Sequence, residues 1–162
     1  MKKIVETNFL MDQLLSAKDC IWIRHANSRL IKKEINTFFD KVKLVEKNGE
    51  KCFSEKNYFD FISLYPDSYT EPTGWEWDNN EIYLGNTAVG NQLKKTIILA
   101  IEIIEEYLIS RFSGNSFCIM MSAQYGKLRN VNIRIVLNRE SCYTDLEMEG
   151  FDQPVLKIIL TT

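Results

Sequence analysis

The chain has one histidine, three prolines and seven glycines in 162 residues, and no apolar run of membrane-spanning length. A single histidine excludes metal centres built from several imidazoles, and His25 has no cysteine or paired carboxylate beside it. The longest near-apolar run, residues 97–104, is interrupted by Glu102 and falls far short of the ~20 residues that a span needs. The basic start is followed by Glu6, Asn8 and Asp12 rather than by an apolar core of roughly 7–15 residues, so no secretory signal is read there. With so little Pro and Gly there is no low-complexity linker, and no internal repeat is found. These absences predict one soluble domain over residues 1–162, cytoplasmic and not membrane-bound.

Catalytic motifs are missing as well. There is no Gly-x-Ser-x-Gly elbow and no cysteine with a histidine next to it. Cys20, Cys52, Cys118 and Cys142 are widely spaced and form no Cys-x-x-Cys pair, which reads as reduced, semi-buried thiols. Cys142, beside Tyr143 in an expected strand, reads as packing rather than as a nucleophile. Gly85 and Gly90 have the spacing of a phosphate-binding loop ahead of a helix. That chemistry needs Lys and then Ser or Thr directly after the second glycine, and Asn91 and Gln92 stand there instead. Glu102, Glu105 and Glu106 share a helix face but have no histidine to complete a metal set, so they read as a solvated stripe. No catalytic, cofactor or metal residue is therefore assigned.

What is present is strong periodicity. Residues 87–112 read as one long helix, with Leu93, Ile97, Ile101, Ile104 and Leu108 as its buried stripe and Gly114 as its stop. Ile98 and Ile109 fall among the glutamates on its other side, either covered by another part of the chain or offered to a partner. Asn8 is expected to cap a helix over residues 9–17, with Leu10, Leu14 and Ala17 on one face. Ser28 is expected to cap another over residues 29–41, with Ile31, Ile35, Phe38 and Val42 buried. Asn48-Gly49 predicts a hairpin that places Val45 against Cys52, and residues 54–64 a short helix before Pro66.

Residues 67–85 are the least regular, a loop followed by a strand over 81–84. Further strands are expected at 20–25, 117–123, 128–137, 142–148 and 155–160. Val131, Ile133, Ile135 and Leu137 point to one face and Asn132 and Arg134 to the other. The fold class is α+β: an antiparallel sheet, with a C-terminal meander, packed on the long central helix and the shorter N-terminal helices.

Charge is distributed in blocks. The net charge of −2 conceals +4 over residues 1–56, −6 over 57–93, +4 over 94–139 and −4 over 140–162. Residues 57–93 contain no Lys or Arg, and there Glu71, Trp75, Glu76, Trp77, Asp78, Glu81 and Tyr83 mix carboxylates with aromatics. The second acidic block contains Asp145, Glu147 and Glu149 in an expected strand. Carboxylates beside exposed rings suit a basic protein partner, since charge steers encounter and rings anchor the contact. Trp75 and Trp77 read equally as core residues of a capping loop whose acids only solvate it. The basic residues Arg129, Arg134 and Arg139 do not share one strand face, and nucleic acid is not expected as a partner.

In size, acidity and lack of catalytic motifs the whole chain resembles the immunity proteins of bacterial polymorphic-toxin and contact-dependent growth inhibition systems. The resemblance rests on no motif and carries over no residue roles. It implies a non-enzymatic inhibitor that binds one cognate basic toxin domain, often a nuclease. Glu71, Trp75, Glu76, Trp77, Asp78, Glu81, Asp145, Glu147 and Glu149 are the expected partner-binding residues. Two alternatives remain open: a small-ligand binder or enzyme with a pocket between helix and sheet, and a homo-oligomeric adaptor that pairs through Ile98 and Ile109.

Overall fold

A computed structural model describes residues 1–17, 27–69, 71–89, 92–124, 129–139 and 148–162. The strands are β1 (Lys2–Thr7), β2 (Lys43–Lys47), β3 (Glu50–Ser54), β4 (Glu81–Leu84), β5 (Ser116–Gln124), β6 (Asn130–Leu137) and β7 (Val155–Thr161). The helices are α1 (Phe9–Ser16), α2 (Ser28–Phe39), α3 (Tyr58–Leu64), α4 (Pro72–Asn79), α5 (Asn86–Val89) and α6 (Leu93–Arg111). Five strands form an antiparallel sheet in the order β1-β7-β5-β6-β4, and β2-β3 is a separate hairpin. The α+β class is as expected.

Local signals place the elements. The Asn8 carboxamide caps α1 by accepting the Met11 N–H at 2.9 Å. Its Oδ1 also takes the Val155 N–H at 3.0 Å, and its Nδ2 donates to the Gln153 carbonyl at 2.8 Å, so one buried residue ties α1 to β7. Met11 and Leu14 are the buried positions of α1, whereas Leu10 is half-buried and Ala17 exposed. In α2, Asn27 rather than Ser28 accepts the capping bond, and Ile31, Ile35 and Phe38 are buried, with Val42 beyond its end. Asn48 and Gly49 have φ of 56° and 82°, the two-residue turn whose twist matches a hairpin, and Val45 faces Cys52 as expected.

Five features depart from the sequence reading. The long helix is divided: α5 ends at Val89 and α6 begins at Leu93. In α6 Ile101 is only half-buried while Ala100 and Ile103 are buried, because the helix packs against α2 as well as the sheet and needs a wider apolar face. The segment read as a loop contains α4, with Pro72 in its first turn and Trp75 and Glu76 buried. Tertiary burial outweighs its poor helix propensity. β1 was not expected, since side chains exposed on both faces leave no alternating pattern. The sheet is also not a sequential meander, because β7 enters between β1 and β5. The strand expected at 20–25 lies outside the described residues, as do residues 142–147 of the other; Met148 begins a 3₁₀ turn, Met148–Gly150.

Helices α1, α2 and α6 cover one face of the sheet. Ile97, Ile104 and Leu108 of α6, Phe117 and Ile119 of β5 and Ile133 and Ile135 of β6 are fully buried in this layer. An aromatic cluster closes one end: Phe39 stacks on Tyr107 at 4.6 Å, and Phe53 meets Phe112 and Phe117 edge-on at 5.1 Å each. Across the other face the strand register aligns one row, Glu6–Lys157–Met120–Arg134–Glu81. Its outer members pair, Lys157 with Glu6 at 2.5 Å and Arg134 with Glu81 at 3.8 Å.

Candidate functional site

The acidic segment supplies α3, α4 and β4, and α4 is its anchor. Glu76 is fully buried, and its carboxylate accepts four bonds. Oε1 takes the Phe53 N–H and Arg139 Nη2, both at 2.8 Å, and Oε2 takes the Leu137 N–H at 2.8 Å and Arg139 Nη1 at 3.0 Å. One turn on, Asn80 Nδ2 donates to the Phe53 carbonyl and, at 2.9 Å, to the Ile135 carbonyl. β4 pairs β6 only as far as Arg134, and beyond that point the side chains of Glu76 and Asn80 supply the hydrogen bonds of a missing strand. They join the hairpin to the main sheet. Burial works against the Arg139 charge, but the hydrogen bonds and charge of Glu76 outweigh it and hold its pKa above the ordinary arginine value. Arg139 Nη1 also donates to Thr73 Oγ1 at 3.0 Å, locking the first turn of α4.

The expected partner-binding residues therefore separate. Trp75 lies in a small core with Cys52, Tyr58 and Phe59, which accords with the core reading of this residue. Glu76 is structural, and neither residue is available at the surface. Glu71 is half-buried at the start of α4. Trp77, half-buried, packs on the outer sheet face with the Arg134 guanidinium 4.9 Å above its ring. Asp78 is exposed and accepts the Tyr69 hydroxyl at 2.9 Å, and Glu81 is exposed on β4. Asp145 and Glu147, and the side chain of Glu149, lie outside the described residues.

Other residues of this acidic segment stand on the surface without having been singled out. Asp60 and Asp67 are exposed, and between them Leu64 and Tyr65 are 73% and 57% exposed. The absence of Lys and Arg from residues 57–93 was the available signal for them. Nothing in the chain pointed to Arg139 as the partner of Glu76, because the two are 63 positions apart.

The thiols of Cys52 and Cys118 are free and buried. Burial pushes Cys118 up to about 11 and raises Cys52 still further, with the Glu76 carboxylate adding to the effect, so neither is set up as a thiolate nucleophile. Among the described residues no cluster of three or more His, Cys, Asp or Glu side chains is arranged to hold a metal. Among the described residues the core side chains above pack between the helices and the sheet. A cleft of about 200 Å³ lies on the opposite face of the sheet, between Trp77, Met120, Asn132, Arg134, Phe151 and Val155. Among the described residues no helix is long and apolar enough to cross a membrane. Comparison of the chain with protein families, curated proteins and solved structures returns no significant match.

Proposed function

We propose that this protein is a non-enzymatic binding protein that captures a basic protein partner in the bacterial cytoplasm, as an immunity protein neutralises its toxin domain. One observation carries the reading. α3, α4, β4 and the chain between them come from a segment without a single Lys or Arg; its Asp60, Asp67 and Asp78 are exposed, as are Leu64, Tyr65, Tyr83 and Glu81, the last paired with Arg134 at 3.8 Å. Same-sign charge raises the rate of encounter with a basic surface, and apolar and aromatic side chains within that field supply the desolvated contacts. Rigid support comes from beneath, where Glu76 and Asn80 clamp α4 to two sheets at once.

The test is capture by the tagged full chain from its native host's lysate at low and high salt, read by mass spectrometry. The expected result is one stoichiometric basic protein, weakened by salt and lost with Asp67→Lys plus Asp78→Lys or with Leu64→Ala plus Tyr65→Ala, but retained with Glu46→Lys on the hairpin. Capture that is indifferent to those changes, or no basic protein at all, overturns the reading. Glu76→Lys is unsuitable as a probe, because it would break the fold before it touched the surface.

A further inference from the structure

β1 is an edge strand of unusual exposure. β7 covers one side of it, and no strand among the described residues covers the other. Ile4 and Val5 are 40% and 50% exposed. The Asn8 N–H donates to the Val155 carbonyl, and the antiparallel ladder alternates from there, so Lys3, Val5 and Thr7 turn their N–H and C=O groups toward the open edge. On the same flank Lys3 is ion-paired with Glu105 of α6, whose outer stripe carries Ile98 and Ile109 at 42% and 41% exposure.

We propose that two copies of this chain pair antiparallel along β1 about a two-fold axis through Ile4, joining their five-stranded sheets into one. A two-fold axis normal to the sheet keeps each face on its own side, which permits only registers that pair residues of like parity. With Ile4 opposite Ile4, Lys2 falls opposite Glu6 of the second copy on the outer face, and Lys3 opposite Val5 on the inner face. A shift of two residues, centred on Val5, would set Ile4 against Glu6, so sequence complementarity selects the first register. Edge lysines ordinarily guard against such pairing. Here Lys3 is drawn aside to Glu105, and Lys2 meets the Glu6 carboxylate that Lys157 holds from the other side. The same symmetry brings the two α6 helices together on the helical face, where each offers Ile98 and Ile109 to the other. β1 and β4 are opposite edges of the sheet, so the pairing leaves Tyr65 and Asp67 open, and its test is independent of partner capture.

The test is sedimentation velocity of the full chain over a concentration series, together with mild oxidation of Ile4→Cys. In the proposed register the two Cα atoms of position 4 stand about 4.5 Å apart, within disulfide reach. Those of position 5 stand about 8 Å apart, beyond it. The expected results are a concentration-dependent dimer, loss of at least tenfold in its affinity with Ile4→Lys in a protein of unchanged circular dichroism, and a disulfide dimer from Ile4→Cys. Val5→Cys and the unaltered chain, treated in parallel, should form none. A monomer at every concentration overturns the proposal. So does a dimer that survives Ile4→Lys but is lost with Ile98→Lys plus Ile109→Lys, or equal cross-linking at positions 4 and 5.

Discussion

Replacing Glu76 with Ala removes the carboxylate that joins α4, the β2–β3 hairpin and β6. The change leaves the N–H groups of Phe53 and Leu137 without their acceptor and the Arg139 guanidinium, whose side chain is 21% exposed, without its counter-charge. Each buried orphan N–H costs about 1–3 kcal/mol, and breaking a buried ion pair from one side costs about 3–5 kcal/mol. The terms overlap because all the donors converge on one carboxylate, so the expected loss is about 4–5 kcal/mol rather than their sum. For a domain stable by about 5–15 kcal/mol this is a large fraction of the total. With a urea dependence near 2 kcal/mol/M, the unfolding midpoint should fall by about 2 M.

Arg139→Ala should cost a similar amount, about 3–5 kcal/mol, because it leaves the fully buried Glu76 carboxylate without its counter-charge even though two backbone donors remain. The double variant should be more stable than additivity predicts by over 1 kcal/mol or so. Urea unfolding followed by tryptophan fluorescence measures all three, with Glu102→Ala on the exposed face of α6 as a control expected within about 0.5 kcal/mol of the parent. A Glu76→Ala loss under about 1 kcal/mol, or strict additivity, would refute the view that this carboxylate stands in for a missing strand.

Three further outcomes follow from the same structure. Asn8→Ala should destabilise by about 2–3 kcal/mol, since it removes the α1 cap and orphans the buried Val155 N–H; Asn8→Asp, which keeps both acceptor bonds, should lose less in the same urea assay. Gly49→Ala has free space around the new methyl but must adopt a φ of +82°, so a thermal melt should show a loss of about 1 kcal/mol arising from the backbone alone. Cys118 has a folded pKa of about 11 against an ordinary 9.0, so its contribution is complete below pH 9 and is lost as pH rises through 11. Between pH 8.5 and 10.5 the parent should therefore lose more stability than Cys118→Val. At pH 8 peptide mapping should find Cys118 unalkylated until urea is added.

The legible part of the fold was the local part. The period of Ile31, Ile35 and Phe38, the Asn8 cap, the Asn48-Gly49 turn and the alternation of β6 each depend on residues within a turn or two of one another, and each stands where the chain predicts it. The helical wheel also set Ile98 and Ile109 among the glutamates, but whether the chain covers them was open until the structure showed them 42% and 41% exposed. α4 and β1 were not legible, for opposite reasons. α4 has weak propensity and exists because Trp75 and Glu76 are buried by β3, β6 and Arg139; β1 is held by backbone bonds to β7 and leaves no side-chain pattern.

The candidate site divides along the same line. Charge blocks are a property of composition, so the acidic character of residues 57–93 was present in the chain from the start. Which carboxylates face outward is a matter of long-range pairing. Glu76 lies within a run of acids that otherwise read as surface, and a guanidinium and two backbone amides distant in sequence turned it into a buried clamp, while Asp60, Asp67 and Asp78 stayed in water. By itself the chain determined its α+β class, its hairpin, the Asn8 cap and the sign of each block. Only the tertiary structure decided strand order, the identity of the buried charge and which carboxylates stay exposed, because each depends on which distant groups meet where water is excluded.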